Sequence, residues 1–255
     1  MNIPGADHED VIGAMDFLPQ VREFERGNLK LEDINIKDSV VVIGGGDVAF
    51  DVARSATRLQ MLKYGKSDVK LTSLENEDAL PASMDELIEG GEEGIEFFCG
   101  NGPQEVMLKK GKVTGLRLLK CLCIFDDSGA FNPEFDNECE QVIEGKQVYI
   151  AIGQSPDYDY LPESLQDKIE IARGKIKADQ NGQVEKAPWL FVGGDIFRGP
   201  DLITGVADGH RAAKAIDSYL YKKVKDKEQS KKVEAMREVV RANSPELTPK
   251  QRGIK

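Results

Sequence analysis

The residues best placed to do chemistry in this sequence are three consecutive glycines. Gly44, Gly45 and Gly46 follow the apolar run Val40 to Ile43 and precede Asp47, Val48 and Ala49, which makes a G-x-G-x-x-A pattern between a buried strand and a helix. In that setting Gly44 permits the tight turn, Gly46 lets a pyrophosphate approach the backbone, and Ala49 lets helix and strand pack closely. The phosphates then meet free N–H groups at the positive end of the helix. An ordinary glycine-rich strand-to-helix turn has the same composition, but the strand, helix, strand spacing around it favours a nucleotide. Asp47 suits the helix dipole and repels phosphate, so it is expected to point sideways as a helix-start residue. Glu75, at the end of the next strand (Val69 to Leu74), stands where a ribose-reading residue belongs. A carboxylate there accepts from a 2′-hydroxyl and repels a 2′-phosphate, which favours NAD over NADP; the alternative is a solvated loop acid beside Glu77 and Asp78.

A second glycine-rich turn lies near the other end. Leu190 to Val192 runs into Gly193, Gly194 and Asp195, then Gly199 and Pro200, then a helix from about Thr204 to Tyr221. It lacks a G-x-G-x-x-G. An acid directly after a glycine turn can accept from sugar-alcohol hydroxyls, while the following helix aims backbone donors at negative charge.

The elements that must position these turns follow from periodicity. From Asp47 to about Lys63 apolar residues recur every three or four positions, and Gly65 closes the helix. Ser83 to Glu86 is a capping-box pattern opening a helix that is expected to end at Gly90 and Gly91, and Ile95 to Cys99 reads as a third strand. Alternating strands and helices imply a parallel sheet. Val106 to Phe125, broken at Lys110 and Gly111, reads as an antiparallel hairpin or meander, and Gln147 to Ile152 resumes buried strand. The expected division is a lead-in or linker over 1–36, a nicotinamide-nucleotide domain over 37–153, a second unit over 154–222 and a charged helical or disordered tail over 223–255. The tail's only apolar seam is Val233, Met236 and Val240.

The 255 residues carry a formal charge of −11, which argues against nucleic-acid binding. From Lys222 onward the net is +6, leaving −17 before it. No run of about 18 apolar residues and no signal-peptide pattern is present, so no membrane span and a cytoplasmic address are expected. The four cysteines, Cys99, Cys121, Cys123 and Cys139, form no C-x-x-C pair. Cys121 and Cys123 share a strand face and could in principle ligate a cluster with the other two, but iron-sulfur ligands normally sit on loops. His8, His210 and Trp189 read as structural, with Trp189 a packing residue.

Taken in order, these motifs resemble the small, electron-input subunit of glutamate synthase and its relatives, flavoproteins built like disulfide reductases. The resemblance runs from Ile3-Pro4-Gly5 through Gly44 to Asp51, Leu80-Pro81-Ala82, Glu92 to Phe97 and Ala151-Ile152-Gly153-Gln154 to Gly193-Gly194-Asp195 and Ala212-Ala213, about 220 residues. It implies a three-layer, Rossmann-like NAD(P) domain with an antiparallel meander, plus the C-terminal half of an FAD domain. Asp195, with Gly194, is then expected to hold the FAD ribityl chain. Leu202, Ile203 and Thr204 would face the flavin pyrimidine end, and Ala151 to Gln154 would lie near both cofactors. Two departures bear on function. The family's phosphate-reading arginines fall at Leu74, Glu75 and Glu77, none of them basic. Its cysteine-rich leading domain and first flavin fingerprint would precede Ile3, so the sequence is read as one chain of a split flavoprotein. The expected activity is hydride transfer between NAD(H) and an FAD completed by a partner chain that also carries iron-sulfur or other redox centres, with no catalytic side chain and no metal. The rival is a nucleotide-binding subunit without its own flavin.

Overall fold

In the computed structural model the described residues are 1–154, 156–199, 201–223, 231–232, 234–236 and 238–239. The chain divides between Gln154 and Ser155 into two compact units. The first contains β1 (Val11–Gly13), α1 (Ala14–Glu25), β2 (Val40–Ile43), α2 (Asp47–Tyr64), β3 (Val69–Thr72), α3 (Met84–Glu92), β4 (Glu96–Phe98), β5 (Asn101–Lys109), β6 (Lys112–Phe125), β7 (Phe131–Glu144) and β8 (Gln147–Ile150). Five of its strands form one parallel sheet in the order β1-β8-β2-β3-β4.

The sheet is buried on both faces, which is why β2 is apolar throughout. Val40 and Val42 point to one side with Tyr149 of β8 and meet Phe17, Phe50, Val52, Ala56 and Leu59 of the helices. Val41, Ile43 and Val148 point to the other and meet Val106, Leu116, Leu118 and Ile143 of the antiparallel β5-β6-β7 meander. Helices, parallel sheet and meander therefore make three layers. α2 ends as expected: Gly65, at φ 70°, takes the left-handed position and returns its N–H to the Met61 carbonyl at 3.1 Å.

Three expectations are corrected in the first unit. Residues 1–36 are not a linker. β1 extends the sheet beside β8, Phe17 stacks 4.3 Å from Tyr149, and Ile34 and Ile36 are fully buried. Buried amides fasten this stretch: Gln147 donates to the Asn35 carbonyl and Gln60 to that of Lys37, both at 2.8 Å. α3 does not end at Gly90 and Gly91 but runs one residue further, to Glu92; Gly90 serves close packing, since a Cβ on it would meet the Phe50 ring at 3.1 Å. The meander also has a third, fourteen-residue strand, β7, paired along β6.

The second unit holds α4 (Glu163–Gln166), the ribbon β9 (Ile171–Ala172) and β10 (Lys175–Ile176), the pair β11 (Gln183–Val184) and β12 (Ala187–Phe191), and α5 (Leu202–Lys223). Ile176, Val184, Ala187 and Val192 form its small core. Trp189, expected to pack, is 55% exposed. Ser155, Pro200 and most of the 223–255 tail, including Val233 and Val240 of its seam, lie outside the described residues; Met236 is helical and exposed.

Candidate functional site

Strand order decides where a ligand can enter. From β2 the chain crosses to β3 and β4 on one side, while β8, arriving after the meander, lies on the other. The crevice beyond the C-terminal ends of β2 and β8 is thus a topological switch point, the place where open α/β sheets bind ligands. Gly44 to Ala49 and Ala151 to Gln154 stand there together.

The glycine loop is shaped by sterics. Gly44 has φ 146°, and a Cβ on it would sit 2.3 Å from the Ala151 carbonyl oxygen and 3.1 Å from Ala49 Cβ. The turn and the close helix packing therefore require Gly44 and Ala49, which is completely buried. The Ala151 N–H in turn donates to the Ile43 carbonyl at 2.8 Å, so the start of the 151–154 segment is stitched to the loop. Ile152, Gly153 and Gln154 are exposed beyond it, and Gln154 reaches Met15 Sδ at 2.7 Å. Gly46 is the N-cap of α2, and a Cβ there would meet nothing within 4 Å. A loop closed beneath Gly44 and open above Gly46 is a cradle whose open side lies at a helix N-terminus.

Gly45 is constrained from above. A Cβ on it would meet Leu80 Cδ2 at 2.9 Å and both Glu75 Oε2 and Ser73 Cβ at 3.1 Å. The Glu75 carboxylate therefore lies over the glycine loop and not out among the neighbouring loop acids. Asp47 does point aside: its Oδ1 accepts the Ser83 N–H at 2.8 Å. Ser83 caps α3, its Oγ accepting the Glu86 N–H at 3.4 Å. Sequence periodicity carried no sign of the Asp47 to Ser83 bond, which joins two helix starts 36 residues apart. Val48, in the first turn of α2, is 38% exposed.

α2 and α3 are clamped by charge. Arg54 binds Glu86 at 2.8 Å and Glu93 at 3.0 Å and also pairs with Glu89, while Arg58 shares Glu93. Burial pushes the Glu93 carboxyl up, but Arg58 and Arg54 outweigh it and hold the group below the usual carboxylate range. Burial raises the Asp51 carboxyl, and neighbouring Glu86 adds to it.

In the second unit the turn that carries Asp195 is built around a buried carboxylate. Asp208, 2% exposed, accepts the Gly194 N–H at 3.0 Å, pairs with Arg211, and lies 3.5 Å from Arg198. Arg211 holds that carboxyl below the ordinary range. Asp195 is exposed beside a shallow depression lined also by Asp201, Leu202, Gly205 and Val206. The backbone N–H groups of Ile203 and Thr204 donate to the Asp201 carboxylate at 3.2 and 2.8 Å. Those two donors are thus engaged in capping α5, while the Leu202 and Ile203 side chains are 84% and 80% exposed.

Burial raises the Cys99 and Cys121 thiols, which makes them poor nucleophiles. Among the described residues no group of three or more His, Cys, Asp or Glu could hold a metal ion, and no helix is long and apolar enough to cross a membrane.

The family profile described as pyridine nucleotide-disulphide oxidoreductase matches residues 1–209. A glutamate synthase [NADPH] small chain of Halomonas elongata is 32% identical over 71% of this chain and 38% of its own length. The NAD-dependent dihydropyrimidine dehydrogenase subunit PreT of Escherichia coli is 32% identical over 86% of this chain and 44% of its own. The chain thus spans less than half of each of these relatives. FprA of Mycobacterium tuberculosis, in a structure with NADPH, shares the fold at a TM-score of 0.64 and 20% identity, over 86% of this chain and 60% of that one. With its switch-point glycine cradle and a family profile covering most of its length, the chain belongs to the pyridine nucleotide-disulphide oxidoreductase family and is related to the glutamate synthase small chains.

Proposed function

We propose that this chain binds NAD(H) in the first unit and contributes one side of an FAD site from the second, as the electron-transfer subunit of a flavoprotein oxidoreductase. The observation that carries the reading is the glycine cradle: closed at Gly44, open at Gly46, and overlain by the Glu75 carboxylate. Pyrophosphate fits the open side, where the α2 backbone donors and helix dipole meet it. Glu75 accepts from the adenosine ribose and repels a 2′-phosphate, so NADH is preferred. Relatives in this family are named for NADPH and for NAD alike, so the family leaves this choice to the local residues.

In the second unit, Asp195 offers an exposed carboxylate to ribityl hydroxyls, and Asp208 fixes the turn that presents it. Bound flavin would supply the hydride acceptor and pass electrons singly onward. The chain's own part is to bind and orient, and no side-chain acid or base is needed. The exposed Leu202 and Ile203 leave the second unit's flavin face one-sided, and we assign the other side, with further redox centres, to a partner chain in a hetero-oligomeric, cytoplasmic complex.

The test is native co-purification followed by spectroscopy. Flavin should be present in the assembly, bleach under anaerobic NADH, and be held poorly by the isolated chain. An assembly that binds NADH but contains no flavin would establish the rival nucleotide-binding subunit. Tightly held, stoichiometric FAD in the isolated chain would exclude the shared site.

A further inference from the structure

An acid beside a pyrophosphate site opposes the ligand's charge, so the presence of Asp47 at the first position of α2 needs a reason. Its geometry supplies one. The segment Leu80-Pro81-Ala82-Ser83 lies across the glycine loop: Leu80 Cδ2 covers Gly45, the Ala82 N–H donates to the Gly45 carbonyl at 3.1 Å, and the Ser83 N–H donates to Asp47 Oδ1 at 2.8 Å. Glu75 borders the same position over Gly45. The strap, the loop and the ribose-reading carboxylate thus meet at Gly45, and the Asp47 carboxylate fastens the far end of the strap.

We propose that Asp47 is a positioning residue, a clasp that holds the Leu80–Ser83 strap against the dinucleotide loop and so keeps the ribose-side wall in place, without itself contacting the nucleotide. The proposal rests on the NAD(H) reading of the loop. The clasp needs an oxygen acceptor at Oδ1 and does not need its negative charge, because the donor is a neutral backbone N–H. Aspartate and asparagine therefore serve equally as clasps, while only aspartate repels phosphate. A purely electrostatic role predicts instead that Asp47→Asn and Asp47→Ala behave alike, since neither carries the charge.

The experiment compares wild type, Asp47→Asn and Asp47→Ala in the whole 255-residue chain. Calorimetric titration with NADH and NADPH is paired with hydrogen exchange at the Ala82 and Ser83 amides. Asp47→Ala should lose NADH affinity several-fold, the scale of one ordinary hydrogen bond less the relief of charge repulsion, and should bind more weakly than Asp47→Asn. It should also narrow the preference for NADH over NADPH and speed exchange at both amides. Asp47→Asn should restore slow exchange and bind NADH at least as tightly as wild type. Unchanged NADH affinity in Asp47→Ala, or an equal loss in Asp47→Asn, would overturn the clasp. If wild type binds neither nucleotide the NAD(H) reading falls and this proposal with it, whereas binding by wild type and equal binding by Asp47→Ala removes the clasp alone.

Discussion

Replacing Gly46 by valine separates folding from binding. Gly46 sits at φ −95° and ψ 173°, an extended conformation that a β-branched residue adopts without strain, and its added Cβ meets nothing within 4 Å. The structural penalty is limited to the N-cap of α2, where valine is poorer than glycine by about 1 kcal/mol. For a unit of this size that lowers the melting temperature by roughly 2–4 °C. Binding should respond very differently, because the isopropyl group fills the open side of the cradle. Loss of two charge-assisted contacts to phosphate, at about 1.5–3 kcal/mol each, amounts to a hundredfold or more in affinity. Gly44→Ala is the control with the reverse signature. Its Cβ meets the Ala151 carbonyl at 2.3 Å from a left-handed φ, and strain and overpacking together should cost on the order of 2–6 kcal/mol of stability. Thermal unfolding and calorimetric NADH titration of both variants make the comparison. A Gly46→Val protein that melts near wild type and binds NADH within threefold of it would refute the cradle. One that melts as low as Gly44→Ala would refute the claim of open space.

Glu75→Arg should reverse the nucleotide preference, weakening NADH and strengthening NADPH; parallel titrations in which NADPH is already the tighter ligand of wild type, and stays so unchanged in the variant, would remove Glu75 from the ribose site. Asp195→Ala in the assembled complex should lower flavin content while leaving NADH affinity intact, and the reverse result would show the two sites to be exchanged. Arg54→Met strips Glu86, Glu89 and Glu93 of their shared partner and should destabilise the first unit by about 2 kcal/mol near neutral pH. The Glu93 carboxyl is held low in the folded state, so its contribution is present above the unfolded pKa and fades as the pH falls through the folded value. Melting curves of wild type and Arg54→Met should therefore converge as the pH falls through the lowered folded value of Glu93, and a constant gap would show the clamp to be packing alone.

What the sequence made legible was what local pattern encodes. Val40 to Ile43, the glycine turn, α2 and its closure at Gly65 form one continuous signal, with apolar period, cap and stop in agreement. β7 was invisible because its fourteen residues, with Pro133, Asn137 and five acids, neither alternate cleanly nor avoid turn formers; only pairing along β6 makes it a strand. β1 is three residues long and too short for a period to appear, so its role is tertiary. Gly90 and Gly91 carried a stop signal locally, while Gly90 serves close approach to Phe50. At the site, the loop and Glu75 were readable from spacing. The Asp47 to Ser83 and Asp208 to Gly194 bonds were not, since each joins distant residues through a side chain to a backbone N–H that has no sequence signature.

The first ten residues bear on solubility. The three-stranded meander has two outer strands, each a row of backbone groups on which a foreign strand could grow into an aggregate. Along β5 the Ile3-Pro4-Gly5 segment takes that place: the Val106 N–H is given to the Pro4 carbonyl at 2.9 Å, and Gly5 approaches so closely that a Cβ would lie 2.5 Å from the Val106 oxygen. His8 pins the segment further on, its Nε2 bonded to the Gly111 carbonyl at 3.0 Å while Nδ1 accepts the Asp10 N–H. β7 carries exposed Glu134, Glu138, Glu140 and Glu144 along it, beside the exposed Phe131 and Val142. The β5 border is thus met at Val106 and at the Gly111 turn by residues 3–8, and the glutamates along β7 make pairing of like with like at the other border unfavourable.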